Sequence, residues 1–312
     1  VTVNDGNNGG NYIVSYINNT TSRIDPLGVT VSGITGVNRA YDGTTTVVLQ
    51  GNGATVSGVL SADQNSVSVV IPSGAIGTMA DKHVGTGKSV TVTGTNGLTL
   101  TGAQSGNYAI TAATGATVDI TKASLTLALS GGTVSKTYDA STVIDSANGA
   151  TISGVSVAAA NNTTLYSTDA VSGFTLAFDD KTAALSGKLV NLTGVNLTDS
   201  SGQSVTGNYN ISLTGANIGA ITKADLLLSG LSAQDKVYDG GTTATLSGSA
   251  VLSAFAGDKV TLATGTAAFV SKDVSYANGA VASQAVTLSN YSISGDDAAN
   301  YNLVVPTTLT AK

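Results

Sequence analysis

Apolar and polar residues alternate along many short stretches of this chain, and turn-forming residues separate the stretches. Clear examples are residues 29–31 and 125–129, and residues 46–49 and 226–228 are short apolar stretches that also predict strands. A period of two residues is typical of a β-strand with one buried face, and Asn-Gly pairs such as Asn96-Gly97 favour tight hairpins between such strands. The pattern therefore predicts an all-β protein built from antiparallel meanders.

Two short motifs recur at intervals of about 100 residues, which indicates a tandem repeat. A Tyr-Asp motif lies early in each copy and an Asn-Tyr motif lies near its end. The Tyr-Asp copies are Tyr41-Asp42, Tyr138-Asp139 and Tyr238-Asp239. The tyrosines of the Asn-Tyr copies are Tyr12, Tyr108, Tyr209 and Tyr301. Because the motifs return in the same order, we expect one folding pattern to be copied along the chain.

The repeat interval divides the chain into a remnant and three predicted modules. The remnant is residues 1–25, in which the alternating stretch 11–17 predicts a last strand of a preceding module. The modules are 26–122, 123–223 and 224–312, which we number repeats one, two and three. Each is long enough to bury its own core. Each is predicted to be an antiparallel β-sandwich-like unit, and an immunoglobulin-like form and a related two-layer form both stay open.

The junctions between the predicted modules are short. Residues 120–123 and 221–224 lead from one apolar strand to the next without the Gly/Ser or Pro tract of a flexible tether. We therefore expect the modules to form a stiff rod. Since a compact unit of about 100 residues has a radius of gyration of about 13 Å, three units in file predict a length on the order of 100 Å.

Composition favours strands and turns over helices. All 19 acidic residues are Asp, Trp is absent, and aromatic residues make up only 5% of the chain. Asp, Asn and Gly favour turns, whereas the missing Glu is a helix former, so we expect helices to be scarce. The net charge of −6, without a run of Lys or Arg, argues against a nucleic-acid partner. No apolar run is long enough for a membrane span.

The sequence offers little for catalysis, and we predict that the chain is not an enzyme. Cysteine is absent, which excludes disulfides, thiolate metal sites and a cysteine nucleophile. His83 is the single histidine, so a Ser-His-Asp triad would need it, but we expect it in a loop. No cofactor is predicted. Calcium binding stays open as an alternative, since Asp179-Asp180, Asp296-Asp297 and residues 4–10 offer oxygen ligands.

The recurring motifs are predicted to be architectural. Asp accepts a backbone hydrogen bond two residues further on and Gly adopts a positive φ, so Tyr41-Asp42-Gly43 and its copies at Tyr138-Asp139 and Tyr238-Asp239 predict turns. The tyrosines of both motifs are expected to bury their rings and to keep their hydroxyls hydrogen bonded. The alternative is a set of exposed rings on which sugars stack.

A third recurrence places Asp beside Lys, at Asp81-Lys82, Asp180-Lys181 and the reversed Lys272-Asp273. Ion pairs at strand ends are usually solvated and add little stability. The alternative is a covalent Lys–Asn or Lys–Asp crosslink, which needs a carboxyl group beside a buried lysine. Intact-mass measurement separates the two, because formation of the crosslink releases water or ammonia.

The ordered set of motifs resembles a known family. The stretches are Tyr-Asp-Gly-Thr-Thr at 41–45, Asp-Lys-His-Val-Gly-Thr-Gly-Lys at 81–88, Gly-Asn-Tyr at 106–108 and Val-Asp-Ile-Thr-Lys-Ala at 118–123. Together they are similar to the YDG-type repeat domains of large bacterial secreted adhesins, which are filamentous-haemagglutinin-like. Repeat two departs at Asp139-Ala140, and repeat three lacks the Gly-Thr-Gly-Lys part. The resemblance implies an extracellular stalk and carries over no catalytic residue.

Together these features predict a structural stalk or spacer at the bacterial cell surface or in a secreted extracellular fibre. Such a segment would hold or assemble an adhesive element in cell adhesion or in a biofilm matrix. The expected partners are other copies of the chain or neighbouring repeats, together with host or matrix glycans. A carbohydrate- or ice-binding repeat module is the alternative, and exposed tyrosines or aligned threonine rows would favour it.

Overall fold

The computed structural model describes residues 2–92, 97–307 and 309–312. Within these ranges the chain is all-β, as predicted, and its helical segments are single turns of 3-10 helix. Those turns are Ser105–Asn107, Ser146–Asn148, Thr206–Asn208 and Ala298–Asn300. Across the same ranges, no helix has the length and apolar character needed to cross a membrane.

The chain divides into two compact units. Unit 1 extends to Ala40 and resumes at Thr44–Thr121, whereas unit 2 contains Tyr41–Gly43 and Lys122–Lys312. The first Tyr-Asp motif therefore belongs to unit 2, although the residues on both sides of it belong to unit 1.

Unit 1 contains eleven strands among its described residues. They are β1 Leu27–Ser32, β2 Thr35–Gly36, β3 Arg39–Ala40, β4 Thr46–Gln50, β5 Thr55–Ser57, β6 Ser68–Val70, β7 Ile76–Met79, β8 Gly85–Thr91, β9 Thr99–Thr101, β10 Tyr108–Ala113 and β11 Thr117–Thr121. The sheets have the strand orders β10-β1-β5, β2-β4-β7-β8-β11-β3 and β6-β9. Val29, Val67 and Tyr108 form a buried cluster in this unit. Asn96 of the predicted Asn96-Gly97 hairpin lies outside the described residues.

Unit 2 contains the other strands of the described chain. They are β12 Ala123–Ser130, β13 Thr133–Thr137, β14 Thr151–Ser153, β15 Ser156–Ala160, β16 Ala170–Phe178, β17 Ala184–Thr198, β18 Tyr209–Thr214, β19 Ala216–Thr222, β20 Ala224–Ala233, β21 Leu246–Leu252, β22 Thr261–Ala263, β23 Thr266–Phe269, β24 Tyr276–Ala277, β25 Ala280–Val281, β26 Gln284–Ser289, β27 Ser292–Ser294, β28 Tyr301–Val304 and β29 Leu309–Ala311. In repeat two the sheets are β15-β12-β18 and β14-β13-β19-β17-β16. In repeat three they are β21-β20-β28, β22-β27, β23-β26-β29 and β24-β25.

The sheets are mixed, so the prediction of purely antiparallel meanders is wrong. The first strand of each repeat pairs in parallel with the strand that follows the Asn-Tyr motif. In register, Leu27 lies opposite Tyr108, Ala123 opposite Tyr209, and Ala224 opposite Tyr301. Parallel neighbours need a long crossover between them, and the body of each repeat supplies it. Alternation with a period of two indicates which face of a strand is buried, but it carries no information on strand direction.

The predicted strand at residues 11–17 is also wrong. These residues form no strand, and the side chains of Tyr12 and Ile13 are 60% and 100% exposed. A strand needs a neighbour for its backbone hydrogen bonds, and no described strand pairs with this stretch. Alternation without a partner strand is therefore not enough to form a sheet.

A single lysine connects the last strand of one repeat to the first strand of the next. Lys122 separates β11 from β12, and Lys223 separates β19 from β20. These connections agree with the pattern of the predicted junctions, while the module boundaries themselves stay a prediction.

Candidate functional site

Each Tyr-Asp motif forms the turn that the sequence predicts. Asp139 Oδ1 accepts a hydrogen bond from Ser141 N–H at 3.0 Å, and Asp239 Oδ1 accepts one from Gly241 N–H at 2.8 Å. Asp42 is half-buried in the corresponding turn of the first copy. The residue after each aspartate has a positive φ, which is 76° at Gly43, 60° at Ala140 and 80° at Gly240. The middle copy thus keeps the turn although it lacks the glycine.

A basic residue two positions before each tyrosine holds this turn together, and the sequence pattern had not singled it out. Lys136 Nζ donates to the carbonyl oxygens of Ser141 and Val143 at 2.8 and 2.9 Å. Arg39 and Lys236 make the equivalent bonds in the other copies. Their carbonyl acceptors belong to Thr44, Thr46, Gly241 and Thr243. The signal available in the sequence is a cation that recurs at a fixed distance from the tyrosine.

Tyr138 of repeat two reaches an aspartate of repeat three. Tyr138 Oη donates to Asp258 Oδ2 at 2.7 Å, and Tyr301 Oη donates to the same oxygen at 2.6 Å. Lys181 Nζ donates to the other carboxylate oxygen at 2.7 Å. The backbone N–H of Phe255 donates to Tyr301 Oη at 3.0 Å. Since the side chain of Asp258 is fully buried, these donors supply the hydrogen bonds that water would otherwise make.

The same arrangement recurs around Asp169, within unit 2. The hydroxyls of Tyr41 and Tyr209 donate to Asp169 Oδ2 at 2.8 and 2.7 Å. The backbone N–H of Tyr166 donates to Tyr209 Oη at 3.0 Å. Tyr41, Tyr209 and Asp169 are all buried. A tyrosine of the Tyr-Asp motif and a tyrosine of the Asn-Tyr motif thus share one carboxylate in both places.

Unit 1 contains a third aspartate in this arrangement. Tyr108 Oη donates to Asp63 Oδ2 at 2.6 Å, and the backbone N–H of Leu60 donates to Tyr108 Oη at 3.3 Å. We use the name acceptor site for the backbone donor, the aspartate and the tyrosine of the Asn-Tyr motif. The three acceptor sites are Leu60, Asp63 and Tyr108; Tyr166, Asp169 and Tyr209; and Phe255, Asp258 and Tyr301. The aspartate follows the backbone donor at the same short spacing in every site, which is a signal that the sequence carries and that was missed.

The rings pack in the same way at the two shared carboxylates. The ring centroids of Tyr41 and Tyr209 are 5.3 Å apart with an interplanar angle of 77°, and those of Tyr138 and Tyr301 are 5.3 Å apart at 75°. Such T-shaped pairs stabilise beyond the area that they bury. The contact is therefore reproduced in its hydrogen bonds and in its ring geometry.

The YDG domain family matches the chain at residues 25–116 and 222–310, which together make up more than half of its 312 residues. The chain belongs to the YDG-domain family. The matched segments include Tyr41-Asp42 and Tyr238-Asp239, the Tyr-Asp motifs of repeats one and three. No curated protein and no solved structure shows a significant match to the chain.

The acceptor site around Asp258 of this YDG chain shifts the pKa values of its own groups. Burial acts to raise the pKa of Asp258, but hydrogen bonds from Lys181, Tyr301 and Tyr138 outweigh it and hold that pKa below its ordinary value. Burial, with the hydrogen bond to Asp258, raises the pKa of Tyr301 to about 12. The same two causes raise the pKa of Tyr138. At neutral pH the site therefore combines a carboxylate with two neutral phenols and an ammonium group.

Most of the motif tyrosines of the YDG chain are buried, as the sequence predicts. The buried ones are Tyr41, Tyr108, Tyr138, Tyr209 and Tyr301. The expectation of a buried ring is wrong for Tyr12 and for Tyr238, whose side chain is 57% exposed. Tyr41 and Tyr138 are covered by an acceptor site of the following repeat, so the Tyr-Asp motif does not bury its ring by itself. Tyr12 lies in the stretch that forms no strand.

The predicted Asp-Lys pairs are rearranged in the structure. Asp81 and Asp180 pair with Lys88 and Lys188, at 2.5 and 2.6 Å. Lys181, the neighbour of Asp180 in sequence, pairs with Asp258 at 2.7 Å. The hydrogen bond from the buried Lys188 is the largest cause that lowers the pKa of Asp180, to about 2.

The remaining candidates lie in exposed or partly exposed loops. Lys272 and Asp273 form an exposed pair at 2.9 Å. His83 lies in a bend, as expected, and its backbone N–H donates to Asp81 Oδ1 at 2.9 Å. In the part of the chain that the structure describes, no group of three or more His or Asp side chains is arranged to hold a metal ion. The crosslink alternative stays a prediction for intact-mass measurement.

Proposed function

We propose that this chain is a structural spacer in which YDG repeats are locked in series by tyrosines that cross into the following repeat. The observation that carries the proposal is the contact of Tyr138 with Asp258, which lies 120 positions further along the chain. Tyr41 makes the same contact with Asp169. We use the name joint for this contact, in which the tyrosine of a Tyr-Asp motif binds the acceptor site of the following repeat. Because the joint occurs twice in a tandem array, it favours a mechanical role over a catalytic one.

The joint between repeats two and three is suited to resist bending because the Asp258 side chain, Tyr138 and Tyr301 are buried. Asp258 receives hydrogen bonds from Tyr138, Tyr301 and Lys181 while its side chain is shielded from solvent. A hydrogen bond to a charged group typically contributes about 1.5–3 kcal/mol, so withdrawal of Tyr138 from this site would be unfavourable. The one-residue connection at Lys223 further limits the separation of the two repeats. We infer a fixed angle between them.

We extend this joint to the whole array. The three modules, with boundaries at 26–122, 123–223 and 224–312, would each be a two-layer β unit, and together they would form a stiff rod. The recurrence of the tyrosine contact and the one-residue connections at Lys122 and Lys223 support this extension. Each repeat would then add length to the rod and fix the orientation of the next repeat.

We place the rod outside the cell, as a segment of a bacterial surface or secreted adhesin or of an extracellular fibre. The lack of cysteine suits a chain that crosses membranes unfolded, and an acidic composition favours solubility. The resemblance to adhesin repeats supports the same location. Antibodies against the chain should label intact source cells, whereas labelling that requires permeabilised cells would contradict this placement.

A carbohydrate- or ice-binding repeat is the rival function. Sugar binding by stacking on tyrosine requires rings with an exposed face, and five of the seven motif tyrosines are buried. Burial makes those rings unavailable for stacking against a sugar. A glycan array and a thermal-hysteresis assay with the whole chain separate the two functions, and we expect neither to detect binding.

A distance measurement across the joint tests the spacer. Because the chain has no cysteine, the exposed positions Thr151→Cys and Ala280→Cys allow one spin label in repeat two and one in repeat three. Double electron–electron resonance should give a narrow distance distribution, and Asp258→Ala should broaden it. Asp63→Ala removes an equivalent aspartate outside this joint and should leave the distribution unchanged. A broad distribution in the parent chain would contradict the fixed joint.

A further inference from the structure

Repeat two uses Tyr138 and Lys181 in the joint. Repeat three carries the corresponding residues, Tyr238 and Lys272, and Tyr238 is exposed. Asp239 and Gly241 form the same hydrogen-bonded turn as the second copy, and Lys236 donates to the carbonyl oxygen of Gly241 at 2.8 Å. The turn is thus fully formed. Even so, the side chain of Tyr238 is 57% exposed, whereas that of Tyr138 is 2% exposed.

A lysine accompanies the tyrosine in both copies. Lys181 Nζ lies 5.9 Å from the ring centroid of Tyr138 and pairs with Asp258 at 2.7 Å. Lys272, which is the third residue after Phe269 as Lys181 is the third after Phe178, lines the same pocket as Tyr238. We use the name tyrosine tip for the tyrosine of a Tyr-Asp motif together with this lysine.

Unit 1 carries an acceptor site of matching form. Asp63 is held by Tyr108 as Asp169 is held by Tyr209, with nearly equal distances of 2.6 and 2.7 Å. Its surroundings are more open, because Leu60 is 60% exposed. Asn107 of its Asn-Tyr motif is exposed as well.

The equivalent asparagines show what covers an acceptor site once it holds a tip. Asn208 and Asn300 are both buried. The Oδ1 atom of Asn300 accepts from the backbone N–H of Ala183 at 2.9 Å, two residues after the lysine of the tip. The exposed Asn107 therefore offers a further acceptor to an incoming tip, in addition to the Asp63 carboxylate.

We propose that the tyrosine tip of repeat three, Tyr238 with Lys272, binds the Asp63 acceptor site of a second copy of the chain and joins copies head to tail. Tyr238 Oη would donate to Asp63, and Lys272 would pair with the same carboxylate, as Tyr138 and Lys181 do at Asp258. The contact is heterologous, so a pair of joined copies keeps one tip at one end and one acceptor site at the other for further partners. The proposal rests on the proposed role of these tyrosines as joints.

Disulfide trapping tests this contact in the full chain. In unit 2, a Cβ atom added to Gly43 would lie 2.6 Å from Ser167 Cβ, so a tip and its acceptor site approach closely there. The equivalent positions between copies are Gly240 and Ser61. A chain with Gly240→Cys that carries a size tag and an untagged chain with Ser61→Cys are mixed in equal amounts and oxidised, and the three dimers are separated by size on non-reducing gels. We expect the mixed dimer to exceed the statistical half of all dimers.

Two variants make the outcome specific. Adding Tyr238→Ala to the Gly240→Cys chain should return the mixed dimer to the statistical fraction. Ala140→Cys with Ala256→Cys in one chain occupies the corresponding positions of the joint between repeats two and three, and should close an intramolecular disulfide. Ala140 already places a side chain at a positive φ of 60°, so a cysteine at this turn position is compatible with the fold.

The outcomes separate the two proposals. A statistical mixed dimer, or an excess that Tyr238→Ala does not change, overturns head-to-tail joining. If the intramolecular disulfide still closes in that experiment, the joint within the chain and the proposed function are retained. Failure of the intramolecular disulfide would overturn both, because the joint that serves as the template would then be absent.

Discussion

Tyr138 Oη and Asp258 Oδ2 form a 2.7 Å hydrogen bond between residues that lie 120 positions apart. Tyr138→Phe would keep the ring against Tyr301 but remove this bond. We expect the free energy of unfolding to fall by about 1.5–3 kcal/mol, because a hydrogen bond to a charged acceptor is lost. Urea unfolding followed by circular dichroism measures the change.

Tyr238→Phe is the matched control for this prediction. Tyr238→Phe also removes a tyrosine hydroxyl, but from an exposed ring. The free energy of unfolding should therefore change by less than about 0.5 kcal/mol. Equal losses for the two variants would show that the hydroxyl of Tyr138 gains nothing from its contact with Asp258.

The lysine of the Tyr-Asp turn should matter more in repeat two than in repeat three. The side chain of Lys136 is fully buried, whereas that of Lys236 is partly exposed. Lys136→Met removes the donor to the carbonyl groups of Ser141 and Val143 and the 2.6 Å ion-pair partner of Asp139, whose side chain is 22% exposed. Loss of one partner of a fully buried ion pair costs about 3–5 kcal/mol, and we expect a loss at or below this range. Lys236→Met should cost less, since water can replace the lysine. Thermal unfolding of the two variants compares them, and a larger loss for Lys236→Met would be inconsistent with this reasoning.

Ala140 has a φ of 60° where the other two copies of the turn have glycine. A side chain is strained in this region, so Ala140→Gly should raise the free energy of unfolding by up to about 1 kcal/mol. Gly240→Ala makes the opposite change in the third copy and should lower stability by a similar amount. Denaturant midpoints measure both variants. A destabilising Ala140→Gly would indicate that the alanine methyl group packs usefully in the turn.

Stability should fall at acid pH. The pKa values of Asp258 and Asp180 are held below the ordinary value, that of Asp180 at about 2. A depressed pKa contributes stability above the unfolded-state value of about 4, and this stability is lost as the pH falls through the folded-state pKa. Unfolding midpoints should therefore decrease between about pH 4 and pH 2. Asp180→Asn should reduce this dependence, and an unchanged acid profile in that variant would refute the assignment.

Stability should also fall at alkaline pH. Burial and the bond to Asp258 raise the pKa of Tyr301 to about 12. A raised pKa contributes stability that is fully present below the unfolded-state value of about 10 and is lost as the pH rises through the folded-state pKa. Unfolding midpoints should therefore decrease between about pH 10 and pH 12. Tyr301→Phe should be less stable at neutral pH and less sensitive to alkali.

The strands and turns of this protein were predictable because they depend on local pattern. The Tyr-Asp turns follow from the preference of Asp for a backbone bond two residues on, and the buried rings of Tyr41 and Tyr138 follow from the scarcity of aromatic residues. Their partners Asp169 and Asp258 were not predicted. A hydrogen bond between distant positions leaves no local signal, and only the recurring spacing from an apolar residue to the aspartate pointed to them.

Strand direction and the exposure of Tyr238 were missed for a related reason. Both depend on which segment lies alongside, and the alternation of residues within one strand is the same for parallel and antiparallel neighbours. Tyr238 lies in the same hydrogen-bonded turn as Tyr138, but no acceptor site among the described residues surrounds its ring. The sequence pattern thus predicted the turns and the buried tyrosines of the joint, but not which aspartate each tyrosine contacts.

Repeat two receives the ring of Tyr41 at Asp169 and provides the ring of Tyr138 to Asp258. A gene duplication or deletion that spans one full interval, from one tyrosine to the next, would bring equivalent contact surfaces together again. Under the proposed spacer function, the number of repeats could then change over evolutionary time, and the reach of the protein would be lengthened or shortened in steps of one repeat.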